Sequence, residues 1–242
     1  MKKIIQYIIF MKKVRKLQFI YLNYFCKRIV RKDRSKIIPY KNAVVEIQKG
    51  ARICMIGGDI EIGCNKIRGS KAETRLRIYQ NAVWNAQNGC KISYGTTVEV
   101  LPKACLESGF FTTNSESVLI AAQRIVLGND VMIGRNVIIY DSDYHQILDE
   151  KGNTINEPQS VIIGNHVWIG TNVLIKKGTQ IGNNCIIGAG AIVSEKIEED
   201  SICKVKYILQ NKKLNGTWDR KSPQIRKSRS TYVYNKCNYT CI

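Results

Sequence analysis

A chain of 242 residues, 44% hydrophobic and 24% charged, is long enough for one large domain or two small ones with a proper core, which excludes a disordered tail. Its net charge of +19 is unevenly placed: residues 1–36 hold 12 basic side chains against 1 acidic, residues 37–203 hold 16 against 17, and residues 204–242 hold 10 against 1. Function is therefore expected in the nearly neutral middle, and because the arms lack the interleaved aromatics of an RNA-binding pattern, no nucleic acid is expected as a partner.

Residues 1–36 are predicted to form a basic amphipathic helical arm. The opening MKKIIQYIIFMKKVRK starts with lysines, but its apolar run stops at Met11 and no small-residue cleavage site follows. Neither a signal peptide nor a spanning helix, which needs about 20 apolar residues, is expected. Ile4, Ile8, Met11, Val14, Tyr21 and Phe25 can share one helical face. Such a helix either lies on an anionic membrane surface, which makes residues 1–36 a candidate peripheral membrane contact, or packs on its own domain or a partner subunit. The nine cysteines are odd in number and form neither a CxxC pair nor a Cys/His cluster at metal spacing. Free thiols in a reducing, cytoplasmic compartment and no bound metal are expected.

Residues 37–203 are predicted to be one domain built on an internal repeat. It is loose from Val44, keeps a spacing of six through Ala86, Ile92, Val98 and Ala104, and sharpens in the blocks that start at Leu127, Ile133 and Ile139. From Ile163 six blocks of six follow without a break: IGNHVW, IGTNVL, IKKGTQ, IGNNCI, IGAGAI and VSEKIE. A period of six belongs neither to an α-helix nor to an ordinary strand. It suits a triangular solenoid, in which each block supplies a short strand and a corner and three blocks complete a circuit. The first residue of each block (Ile163, Ile169, Ile175, Ile181, Ile187, Val193) and the fifth (Val167, Val173, Thr179, Cys185, Ala191, Ile197) should point inward, and Gly and Asn should serve the corners.

The rhythm fails after Tyr144, and residues 145–160, HQILDEKGNTINEPQS, are predicted to leave the coil as a loop. At its root stands His145, one of two histidines, just behind Asp141 and Asp143. An imidazole near neutral pH can accept a proton from a hydroxyl, and a nearby carboxylate would orient it. Asp141 and Asp143 share a strand face that His145 opposes, unless the backbone turns between them; which carboxylate serves the imidazole is open.

The hexads, with VWIG (Val167–Gly170), IGAGAIV (Ile187–Val193) and the loop DSDYH, resemble the hexapeptide-repeat acyltransferases, and most closely the O-acetyltransferases of capsular polysaccharide, lipopolysaccharide or sialic acid. The resemblance implies a left-handed parallel β-helix, a homotrimer with sites between subunits, acetyl-CoA as co-substrate, a sugar or glycan hydroxyl as acceptor, and no metal. It further implies His145 as general base with Asp141 and Asp143 as its catalytic companions, Asn114 and Trp168 as acceptor contacts, and Gly170, Thr171, Lys177, Ala189, Gly190, Ser194 and Lys196 along the coenzyme. His166, beside Trp168, is expected to be structural or solvent-facing.

Two departures from the family pattern stand out. Where the family carries Thr-Lys beside the coenzyme phosphates, this chain has Ser194-Glu195 followed by Lys196, and the closing Gly-x-Pro-Ala turn is replaced by SICKVKYILQNKK, including Lys204 and Tyr207. A carboxylate facing a phosphate repels it, so Lys196 must take over or affinity falls. Residues 204–242 are predicted to be a basic C-terminal arm. Three alternatives stay open: a degenerate solenoid that binds a glycan or partner without catalysis, a protein that works through its arms, and an acetyltransferase for a small amino acid or xenobiotic acceptor.

Overall fold

In the computed structural model, residues 10–204 and the backbone of residues 217–219 are described. Ile4 and Ile8 of the expected helical face, and the rest of the basic C-terminal arm, lie outside them. Because only two side chains of each hexad can point into a narrow coil, each block makes a strand of two to five residues and then bends. The strands assemble into three parallel sheets of eight, eight and seven strands. One circuit runs from Arg124–Leu127 in the first sheet through Val131–Ile133 in the second to Ile138–Tyr140 in the third; the next occupies Val161–Ile163, Val167–Ile169 and Leu174–Ile175.

Register is kept residue on residue. Leu127, Ile163 and Ile181 stack in the first sheet, Ile133, Ile169 and Ile187 in the second, and Ile139, Ile175 and Val193 in the third. None of the nine is more than 3% exposed. The fifth positions Val167, Val173, Thr179, Cys185 and Ala191 are buried too. Thr179 is tolerated inside because its hydroxyl bonds the Lys176 and Val193 carbonyls, at 2.7 and 3.0 Å.

The corner glycines Gly164, Gly170 and Gly182 serve a purpose other than the expected left-handed bend, which Gly178 and Gly190 do adopt at φ 79° and 74°. A side-chain carbon on Gly170 would lie 2.7 Å from the Ala189 nitrogen of the next circuit, so the hydrogen there lets two backbones touch. The left-handed conformation falls beside it, on Asn172 at φ 58°.

The coil also begins earlier than residue 37 or Val44. Ile29–Arg31, Ile37–Pro39 and Ala43–Ile47 already form its first circuit. The early circuits use strands of five residues, such as Arg52–Ile56 and Thr74–Ile78, and one corner takes up residues 65–73. Inward alternation survives there while the six-residue spacing does not. The described part of the N-terminal arm is docked on that circuit. An α-helix over Lys16–Ile20 continues as a π-helical turn over Tyr21–Phe25, and Val14, Leu22 and Cys26 are buried. The Asn23 amide donates to the Ile37 carbonyl and its oxygen accepts the Ile37 N–H, at 2.7 and 2.9 Å, which covers the open end of the solenoid.

Among the described cysteines six are free thiols, Cys26, Cys64, Cys90, Cys105, Cys185 and Cys203. Cys54 departs from the expectation and is disulfide-bonded.

The inward stack sets the stability of the middle circuits. Ile169→Ala is expected to lower unfolding free energy by about 2–5 kcal/mol, and Ile192→Ala, 72% exposed on the outer face, by no more than about 0.5 kcal/mol, both read by denaturant unfolding.

Candidate active site

The chain leaves the coil after Ile138–Tyr140, and the exit is built by Asp141. This carboxylate is fully buried; one oxygen accepts the Ala122 N–H at 2.6 Å and the other accepts those of Gln123 and Arg124 at 2.8 and 2.6 Å. Burial pushes its pKa above the usual carboxylate value, against the pull of the N–H donors. Its carbonyl accepts the Gln159 N–H at 2.9 Å, so the same residue ties the far end of the insertion to its root. The expected partnership with the imidazole is not what the Asp141 oxygens make: they hold a corner of the preceding circuit.

The turn that sequence left open does occur. Tyr144 takes a left-handed conformation, φ 63°, and the His145 N–H donates to the Asp143 carbonyl at 2.8 Å. The ring of Tyr144 packs edge-on against Tyr140 with 5.2 Å between centroids, and burial pushes its phenol pKa well up. This anchors the turn and leaves His145 exposed.

Asp143 points to Lys177, whose ammonium donates to it at 2.5 Å and to the Asn156 carbonyl at 3.0 Å. Asn156 completes a clamp on both sides of His145. Its amide nitrogen donates to Asp143 Oδ2 at 3.1 Å and to the His145 carbonyl at 2.8 Å, and its oxygen accepts the Ile147 N–H at 2.7 Å. Lys177, expected along the coenzyme, thus ties the coil to the insertion. Beyond the clamp the insertion forms a hairpin: Gln146–Leu148 faces Thr154 and Ile155 across a turn closed by Asp149. On its other side Gln146–Leu148 pairs antiparallel with Thr217–Asp219, so this part of the C-terminal arm adjoins the insertion.

The remaining residues fall on two edges of the prism. Lys177, Ser194 and Lys196 share the corner between the third and first sheets with the root of the insertion. Ser194 and Lys196 are exposed, and the Lys196 ammonium meets Glu198 at 2.8 Å. Asn114, Gly170, Thr171, Ala189 and Gly190 stack along the corner between the second and third sheets. The Gly170 N–H donates to the Ile187 carbonyl and the Gly190 N–H to the Thr171 carbonyl, each at 2.8 Å. Trp168 stands half-exposed on the outer face of the second sheet, in register with Met132 and Ile186. The two edges do not converge within one chain. Between them, on the outer face of the third sheet, Val118, Ile138, Leu174 and Ile192 form an apolar column. His166 lies at another corner, left-handed at φ 54°, and its Nδ1 meets Asp130 at 2.7 Å, both side chains exposed.

Asp141→Asn keeps the shape but turns an amide N–H₂ toward backbone donors. A loss of about 1–3 kcal/mol in unfolding free energy is expected, measured by denaturant unfolding. Asn156→Ala should act locally: amide exchange at residues 145–148 accelerates at least about tenfold by mass spectrometry, while Val167–Ile169 exchange is unchanged.

The family model for the bacterial transferase hexapeptide (six repeats) matches residues 160–195. No curated protein matches this chain. Among solved structures, similarity extends to the polySia specific acetyltransferase NeuO, at 20% identity over 84% of this chain and 80% of that one, TM-score 0.49. A hexapeptide-repeat containing acetyltransferase from Vibrio cholerae O1 biovar eltor, complexed with acetyl coenzyme A, is 20% identical over 52% of this chain and 64% of that one, TM-score 0.36. The polysialic acid O-acetyltransferase OatWY is 18% identical over 87% of this chain and 96% of that one, TM-score 0.36. Three in-register parallel sheets make the fold a left-handed parallel β-helix, and its residues 160–195 match the model of the bacterial transferase hexapeptide repeat.

Proposed function

We propose that the protein is an acetyl-CoA-dependent O-acetyltransferase acting on a hydroxyl of a cell-surface glycan or its sugar precursor, with His145 as general base. The observation that carries this reading is the placement of His145, exposed on a clamped left-handed turn where a transferase-type hexapeptide coil is interrupted. A residue whose backbone is held on both sides loses less freedom when its side chain meets a hydroxyl, and such positioning contributes to a bimolecular transfer. The imidazole accepts the hydroxyl proton as the oxygen attacks the acetyl carbonyl, and then returns the proton to the departing thiolate. Acetyl-CoA, when bound, supplies the activated acyl group.

The second edge suits an extended pantetheine chain. Thr171, Ala189 and Gly190 are exposed, and nothing lies within 4 Å of where a side chain on Gly190 would begin. Lys196 directly follows Ser194-Glu195, the expected phosphate turn. We read the assembly as a homotrimer, because a second copy set against the apolar column of Val118, Ile138, Leu174 and Ile192 would bring the Gly170 edge of one chain to the His145 edge of the next. Six of the seven described cysteines are free thiols, which suits the cytoplasm, against the one disulfide-bonded residue Cys54. One rival has its own observation: Glu195 and the Lys196–Glu198 ion pair weaken the phosphate turn, which favours a glycan-binding solenoid without transfer.

Calorimetry of acetyl-CoA on the intact protein separates the two. Binding is expected, followed by acetyl transfer to a member of a panel of free sugars, oligosialic acid, serine and aminoglycoside acceptors. His145→Ala should lower kcat by about 10²–10⁴-fold with acetyl-CoA affinity retained. Folded protein that binds no acetyl-CoA would establish the rival.

A further inference from the structure

The N-terminal helix carries two faces, and only one of them has work inside the chain. Arg15, Gln18, Leu22, Asn23 and Cys26 face the coil: Arg15 donates to the Ala43 carbonyl at 2.8 Å, Gln18 to that of Val45 at 3.2 Å, and the other three are buried. Val14, expected to share a face with Tyr21 and Phe25, is buried as well and bridges to Tyr40. At helical spacing on the opposite side stand Leu17, Ile20, Tyr21, Tyr24 and Phe25, which are 84%, 45%, 50%, 65% and 68% exposed. A helix that only covered the end of a solenoid would present polar residues there. Five large apolar side chains on ten residues form a patch of the kind that marks an interaction site.

The surroundings of the patch select its partner. Lys12, Lys13, Lys16, Lys27, Arg28 and Lys32 are exposed around it, and Lys36 lies 4.8 Å over the Tyr24 ring. The single acidic residue of the arm, Asp33, is held in its own turn by the N–H groups of Ser35 and Gly57. A rim of one sign repels an identical rim, so a second copy is disfavoured on this face. Apolar and aromatic side chains ringed by lysine and arginine fit an anionic bilayer, where the rings and aliphatic groups sit at the headgroup boundary and the cations pair with lipid phosphates. Among the described residues no helix is long and apolar enough to cross a membrane, so contact would lie in the plane of the surface.

We propose that Leu17, Ile20, Tyr21, Tyr24 and Phe25 dock the protein, end-on through its N-terminal cap, on an anionic membrane surface. The proposal is independent of acyl transfer and is tested without it. Full-length protein is sedimented with vesicles of phosphatidylcholine alone and with vesicles containing about one-third phosphatidylglycerol. The comparison variant is the triple substitution Leu17→Ser, Tyr24→Ser, Phe25→Ser, which leaves every charge in place; an unchanged thermal unfolding curve shows that the cap still holds. Wild type is expected to sediment with the anionic vesicles only, less so at high salt, and the triple variant to bind at least about tenfold more weakly. Equal binding by wild type and variant would overturn the proposal and assign the attraction to charge alone. Failure of wild type to bind would overturn it outright. A variant that changes the oligomeric state instead of vesicle binding would show that the face belongs between copies of the chain.

Discussion

Each circuit lays its aliphatic side chains on those of the circuit before, at the strand spacing of about 4.8 Å, and every other feature of the molecule adapts to that contact. Leu127 on Ile163, Ile133 on Ile169 and Ile139 on Ile175 leave no freedom to shift one strand along another, because a slip of one residue would turn the apolar set outward. The corners inherit the constraint. Gly170 must be glycine because the next backbone is already against it, and the left-handed bend moves to the asparagine beside it.

The same contact explains where irregular chain can exist. A stack with no space for polar side chains expels any segment that breaks the pattern, and it does so at a corner, where one circuit has finished and the next has not begun. Asp141 makes that exit affordable by giving three backbone N–H groups of the preceding corner an acceptor. From there rigidity is handed outward through Tyr144 against Tyr140, then Lys177 and Asn156 against Asp143. His145 is therefore attached to the coil by several contacts at once, which is how a loop residue can be held as firmly as one on a strand.

The fold could be read from the sequence wherever the repeat was regular, from about Leu127 to Ile197, since inward positions and corner residues recur there at fixed spacing. Its start could not. Five-residue strands and the long corner at residues 65–73 keep the alternation of Ile29–Ile78 but erase its period. Likewise His145 was legible because it interrupts a pattern, whereas the task of Asp141 was hidden because its partners are main-chain N–H groups that any residue supplies. Asn156 gave no signal at all: it meets Asp143 thirteen positions away through a hairpin that no periodicity announces. The helix misled for another reason. One amphipathic face accounts for its composition, but the docked contacts of Asn23 and Leu22 rotate that face, so that Val14 turns in and Leu17 turns out.

A coil that advances by whole circuits is also a length standard. The insertion follows the fifth circuit from the capped end, four strand intervals along each sheet, so its root stands about 2 nm from the first circuit. Adding or removing one circuit of regular hexads would change that reach by about 0.5 nm without altering a single corner. Reach and anchoring are thus separable in this architecture: the number of circuits fixes how far from the capped end the insertion stands, while Asn156 together with Tyr140 and Lys177 of the neighbouring coil fixes how its root is held.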